Sequence, residues 1–203
     1  MVDKLTIRSH SIKAISGVDI AASWNPKDKP IILELFKQAK DHPMIAQNLY
    51  NNLVDNIHGR PSALYPRHIG YTTNTMTQDG IQRHGELIVM RTNKLFTYFG
   101  IGEGAGPTTS QTQQLFDEIG RVSMDSDHGF RVSAGTNIIE AGYFDETYPS
   151  FTATESAAFD GDGTEPDIEV MEWRAVYPVS QRVAHVQNVN FMTYIHTIFQ
   201  RAV

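Results

Sequence analysis

Cysteine is absent from this 203-residue chain. Disulfide frameworks, thiolate nucleophiles and zinc–thiolate centres are thereby excluded. Basic clusters are missing too. The formal net charge is −6, and the densest basic stretch, Arg60 to Arg67, holds only two arginines. A protein that grips nucleic acid usually shows a basic stripe, so nucleic acid is not an expected partner. No run approaches the roughly 20 apolar residues of a membrane helix, and no membrane partner is expected. Met1 to Arg8 mixes polar and apolar residues, unlike a signal peptide. Internal repeats, heptads and low-complexity tracts are lacking, so the chain carries no fibre shaft of its own. What remains is an ordinary globular composition, 40% hydrophobic and 20% charged. A chain of this length buries a real core without staples.

Two regions differ in character. Residues 1–84 carry helical signals and irregular stretches, and residues 85–203 read mainly as strands. Asp28 followed by Pro30 starts one helix, continued by Ile31, Ile32, Leu35, Phe36 and Ala39. Asp41 and Pro43 start another, with Ile45, Leu49 and Leu53 along one face, ended by Gly59 and Pro61. Residues 60–84 show no period and read as a long arm, a candidate contact with a neighbouring subunit.

Strands are expected at Leu87–Met90, Leu95–Ile101, Arg121–Met124, Phe130–Ala134, Ile138–Phe144, Phe151–Phe159, Ile168–Tyr177 and Val189–Phe199. A short helix is expected after a Thr109 or Ser110 cap. The last strand is apolar on both faces, so it is either central in a two-layer core or covered by another subunit. The pattern predicts an α+β chain that is mainly β. A sandwich-like domain over 85–203 would follow a partly helical region with a long arm over 1–84.

Motifs with chemical potential fail in detail. Gly100, Gly102, Gly104 and Gly106 follow a strand, but Ala105 and Pro107 stand where a dinucleotide fingerprint needs glycine, and no Gly-Lys-Ser/Thr follows. A structural turn is the better reading. The loop Asp160-Gly-Asp162-Gly-Thr-Glu165-Pro-Asp167 has Glu165 and Met171 where a calcium loop needs glycine and glutamate. A solvated hairpin loop is favoured, with adventitious cation binding as the alternative. His10, His42, His58, His68, His84, His128, His185 and His196 form no close pair, and His196 reads as packed or interfacial. Asp125–Asp127 and Asp145–Glu146 lie in turns. Tyr143, Tyr148, Phe151 and Trp173 offer a sugar-facing surface only if exposed; packing is the expected role. No catalytic, cofactor or metal residue is assigned, and an enzyme is not expected.

Three ordered blocks carry a resemblance. The first runs from Phe99-Gly-Ile-Gly-Glu-Gly through Ala105-Gly-Pro-Thr-Thr-Ser to Glu118-Ile-Gly-Arg121. The second is Ile138-Ile-Glu-Ala-Gly-Tyr-Phe-Asp145, and the third is Arg174-Ala-Val-Tyr-Pro-Val179. Residues 95–199 thus resemble a β-rich module of tailed-phage tail-fibre, baseplate and collar proteins. The resemblance implies a virion structural protein, assembled in the host cytoplasm. It would act as an assembly or attachment subunit, with itself and other virion proteins as partners. A carbohydrate-binding module of a tail-associated host-recognition protein is the alternative. Glu140 and Arg174 are expected to pair across strands, and Gly142 to mark a bulge or a close backbone contact.

Overall fold

The computed structural model describes residues 17–60, 64–109, 111–134, 137–165 and 168–199. The first strand, β1 (Gly17–Trp24), turns Ile20, Ala22 and Trp24 to one face and Asp19, Ala21 and Ser23 to the other. Helices α1 (Lys29–Asp41) and α2 (Pro43–Ile57) begin at the two expected Asp/Pro signals. Proline is tolerated there because the first turn has no intrahelical acceptor for its missing N–H. Then come β2 (His68–Met76), α3 (Gln78–Ile88), β3 (Tyr98–Gly102), β4 (Glu118–Ser123), β5 (Gly129–Ala134) and β6 (Asn137–Phe144). The chain ends with β7 (Phe151–Ala153), β8 (Glu155–Phe159), β9 (Met171–Val176), β10 (Val183–His185) and β11 (Phe191–Phe199).

Nine of these strands form one antiparallel sheet, in the order β4-β3-β8-β9-β2-β1-β11-β6-β5, and β7 pairs separately with β10. The architecture is therefore α+β and mainly β. A twisted sheet of this width curls, and here it nearly closes. Gly142 on β6 lets the two halves meet. A Cβ there would lie 2.8 Å from Val122 on β4 and 2.9 Å from Phe99 on β3. The bulge or close backbone contact expected at Gly142 is instead close packing by two side chains, with the strand register unbroken. The facing layers expected of a sandwich are here two halves of one curled sheet.

Two large cores lie on the two faces, with a smaller one of Leu115, Ala157, Phe159 and Met171 beside them. Inside the curl, Phe99, Phe144, Phe151, Trp173, Met192 and Tyr194 pack together, with the Phe99 and Tyr194 rings 4.7 Å apart. Outside, the buried stripes of α1 and α2 cover β1, β11, β6 and β5. Phe36 is the pivot of that layer, edge-on to Phe130 at 5.0 Å and to Tyr143 at 6.0 Å.

Several expectations need correction. Residues 60–84 are not an arm: they contain the inner strand β2 and most of α3. β2 escaped notice because its faces, Ile69-Tyr71-Thr73-Thr75 and Gly70-Thr72-Asn74, are mostly polar and give no apolar alternation. Leu87–Met90 is not a strand. Leu87 and Ile88 close the helix that Thr77 caps by accepting from Gly80 N at 2.9 Å, and Val89 and Met90 turn out of it. Among the described residues between Thr109 and Asp117 no helix forms; 103–109 and 111–117 are loop, and Ser110 lies outside the described residues. The last strand is two-sided because this chain covers both faces. Phe191 and Ile195 meet the helices, while Met192 and Tyr194 meet the interior. β1 and β2 lie between β9 and β11, so regions 1–84 and 85–203 share one sheet.

Phe36→Ala should cost about 3–5 kcal/mol, as a large buried ring is lost and the space only partly collapses. Ile81→Ala, at an exposed helix position, should stay within about 0.5 kcal/mol. Urea denaturation of the two variants checks the difference.

Candidate functional site

Charged side chains inside a sheet need partners on neighbouring strands, because unpaired burial of a charge is costly. The inner face supplies such a row. Arg131 on β5 stands opposite Glu140 on β6, Glu140 opposite His196 on β11, and His196 opposite Asp19 on β1. The row thus reads cation, anion, imidazole, anion across four adjacent strands. Arg131 Nε donates to Glu140 Oε1 at 2.5 Å, and His196 Nδ1 bonds directly to Asp19 Oδ1. Asn74 on β2 reaches the same imidazole nitrogen at 3.4 Å. Asp19, Glu140 and His196 are all buried.

The opposite half of the sheet completes the cluster. The pairing of β8 with β9 shifts register between Ala158 and Phe159, which face Trp173 and Met171 and leave Glu172 as the extra residue of a bulge. Trp173 stacks on His196 at 4.5 Å, and Glu172 Oε1 meets His84 Nε2 of α3 at 2.6 Å. Three carboxylates thus share one end of the curl with one arginine and two histidines. One oxygen each of Asp19, Glu140 and Glu172 has no hydrogen-bond partner among the described residues.

The protonation of this cluster follows from its neighbours. The hydrogen bond to Glu172 raises the His84 pKa above its ordinary 6.5, against the opposing effect of burial. Burial works against the His196 imidazolium, but the charge and hydrogen bond of Asp19 outweigh it, and the pKa is raised. Burial raises the Glu140 carboxyl above 4.5, opposed by Arg131 and reinforced by Glu172.

A second buried ion pair lies on the outer face. Glu155 on β8 and Arg174 on β9 are wholly buried, with Arg174 Nη2 2.5 Å and Nε 2.7 Å from Glu155 Oε2. Glu155 also accepts from the backbone N–H groups of Gly104, Phe116 and Asp117 at 2.9–3.2 Å. Arg174 Nη1 donates to Gly106 O and Thr108 Oγ1, and its guanidinium lies 4.2 Å from the Phe116 ring centroid. The loop 103–117 is pinned over the sheet by these bonds, with Leu115 buried beneath it against Ala157, Phe159 and Met171. The glycines have a steric reason. A Cβ at Gly104 would meet Glu155 at 2.3 Å, and one at Gly106 would meet the Phe116 ring at 2.0 Å. The expected structural turn is thus a pinned loop. The expected Glu140–Arg174 pair does not form, because β6 and β9 are not neighbours in the sheet.

Other residues singled out from sequence have local partners. Arg121 holds Glu118 at 2.7 Å and Glu169 at 2.5 Å. Glu169 in turn accepts from Gly163 N at 3.0 Å, and Asp162 from Thr164. The loop at 160–165 is held by these bonds; Pro166 and Asp167 lie outside the described residues. Asp145 accepts from Thr147, Glu146 pairs with Lys29 at 2.8 Å, and Asp127 lies 3.9 Å from Lys40. The His185 ring nitrogens lie 3.1 Å from the carbonyl oxygen of Pro149 and 2.8 Å from that of Asp145, and the ring stacks on Phe151. His10 lies outside the described residues. Among the described residues no group of three or more His, Asp or Glu side chains is arranged to hold a metal ion. Tyr143, Phe151 and Trp173 are buried and present no stacking surface to a sugar.

Sequence reasoning missed the charged row, although it left a signal. Asp19, Glu140 and His196 each interrupt a strand whose other residues are uncharged and mostly apolar. No family model, no curated protein and no solved structure matches this chain.

Two outcomes are expected. Arg174→Met leaves Glu155 buried without its counter-charge and should cost about 3–5 kcal/mol; limited proteolysis should then cut within 103–117. His84, His196 and Glu140 all hold their protons to higher pH in the folded chain than in the unfolded one. The stability they confer is full below the ordinary values and lost as pH rises through the raised ones. The urea midpoint should therefore fall between about pH 6 and about pH 9, where the histidines dominate. A midpoint that climbs over this range contradicts the assignment.

Proposed function

We infer that this chain is a structural subunit of a tailed-virus particle, serving in assembly or attachment in the tail, baseplate, fibre or collar, and not in catalysis. The observation that carries the reading is the pinned loop 103–117. Arg174 of the third block holds this loop together with Glu155, and Gly104 and Gly106 of the first block leave the room that the Glu155 and Phe116 side chains occupy. Glu118 and Arg121 of the first block pair with each other at the loop's far end. Gly142 of the second block sits where the sheet halves meet. The blocks thus do structural work together, as residues of an assembly module would. In this reading the curled sheet is the sandwich-like assembly body. The loop, with Gln111, Gln113, Gln114 and Phe116 exposed, is a surface held rigid for a neighbour. The partners are further copies of the chain and other virion proteins, and the place of work is the virion, assembled in the host cytoplasm.

A rigid loop lowers the ordering cost of association, which favours its use as a contact surface. Symmetric closed oligomers are the common outcome for such subunits. Light scattering of the purified chain should give a single mass at a small multiple of 22.8 kDa. Replacing Gln111 and Gln114 by glutamate should reduce that mass while changing stability by no more than about 0.5 kcal/mol. A monomer at all concentrations speaks against the reading.

A further inference from the structure

Helix α3 is attached to the rest of the chain in an unusual way. Only Gly80 of its residues is buried, while Ile81 and Ile88 stand in solvent. An element with so little buried apolar surface belongs to the low-stability end of a structure. Its bonds to the sheet are polar. Thr77 at its cap bonds to the carbonyls of Met171 and Glu172, and Gly80 packs on the Glu172 backbone. Arg83 pairs with the buried Asp160, and Asp79 accepts from Gln113 at 3.0 Å. His84 reaches Glu172 at 2.6 Å and lies against Phe96.

Of these ties, His84–Glu172 alone leads into the buried cluster. The groups around it come from every element at that end of the curl. They are Glu172 on β9, Glu140 on β6, Arg131 on β5, His196 on β11, Asp19 on β1 and Asn74 on β2. With both histidines protonated, three carboxylates face three cations. Loss of the two imidazolium protons leaves Arg131 alone against Asp19, Glu140 and Glu172. His84 has a 35% exposed side chain and His196 a 1% exposed one, so His84 is the group that exchanges protons with solvent first.

We propose that α3 is a proton-operated latch on the end of the curled sheet, held closed by the His84–Glu172 bond and released when His84 becomes neutral. A neutral His84 gives up the charge-assisted part of its bond to Glu172. It also leaves an excess of negative charge beneath the helix, whose remaining ties through Thr77, Asp79 and Arg83 are polar and bury little apolar surface. Release frees the helix while the nine-stranded sheet keeps both of its apolar cores. The raised proton affinity of His84 agrees with this geometry.

Hydrogen exchange on the full chain, corrected for the intrinsic rate at each pH, tests the latch. Amide protection in 78–88 should fall on the order of tenfold between about pH 6 and about pH 9, the size expected for loss of one charge-assisted hydrogen bond. Protection in β1, β11 and β6 should fall only as far as the global stability does and stay well above that of 78–88 at both pH values. In His84→Gln, α3 should be weakly protected at both pH values and the pH dependence should vanish. Arg83→Gln should loosen α3 throughout while leaving the pH dependence in place. Should His84→Gln fail to fold, imidazole titration of the unmodified chain by NMR decides: the midpoint of α3 release must coincide with that of His84. Equal protection of α3 at both pH values, a pH dependence that survives in His84→Gln, or midpoints that differ overturns the proposal.

Discussion

A charge buried within a β-sheet has to meet its counter-charge on the next strand, and this chain applies that constraint across four strands at once. Arg131, Glu140, His196 and Asp19 oppose one another directly on β5, β6, β11 and β1. A slip of one residue in any of these pairings would turn one charge into the apolar outer core and leave its neighbour unpaired. Apolar residues on both faces would tolerate several registers. The polar row admits one, and so it sets the frame on which the helices and the opposite half of the sheet are placed.

The same constraint explains where the sheet is least secure. The interior is apolar through its middle, around Phe99, Trp173 and Tyr194, and charged toward the end that α3 covers. The first zone gives stability that varies little with pH. The second depends on protons, because its balance of charge relies on two imidazoles. A sheet built this way combines an apolar middle with one end whose charge balance depends on protons. The loop 103–117 follows the opposite plan: its ion pair is wholly buried and contains no histidine, so it keeps its shape.

Much of the architecture was legible in the residues. The helices at 29–41 and 43–57 announced themselves through Asp/Pro starts and apolar stripes, and β5, β6, β9 and β11 through β-branched and aromatic runs. Those signals are local, resting on capping, periodicity and side-chain volume within a few residues. β2 and α3 were misread for the same reason. β2 faces a polar zone within the sheet and α3 buries almost nothing, so neither carries the apolar period by which elements are recognised.

The sequence by itself determined the absence of thiol chemistry, the mainly β character, the two helices and a structural rather than phosphate-binding role for the glycines between 100 and 106. Only the tertiary structure decided which charges meet. Arg174 found Glu155, nineteen residues away, and Asp19 found His196 across 177 positions. Such partnerships follow from strand order and register, and these are set by the packing of the whole sheet and not by any segment of it.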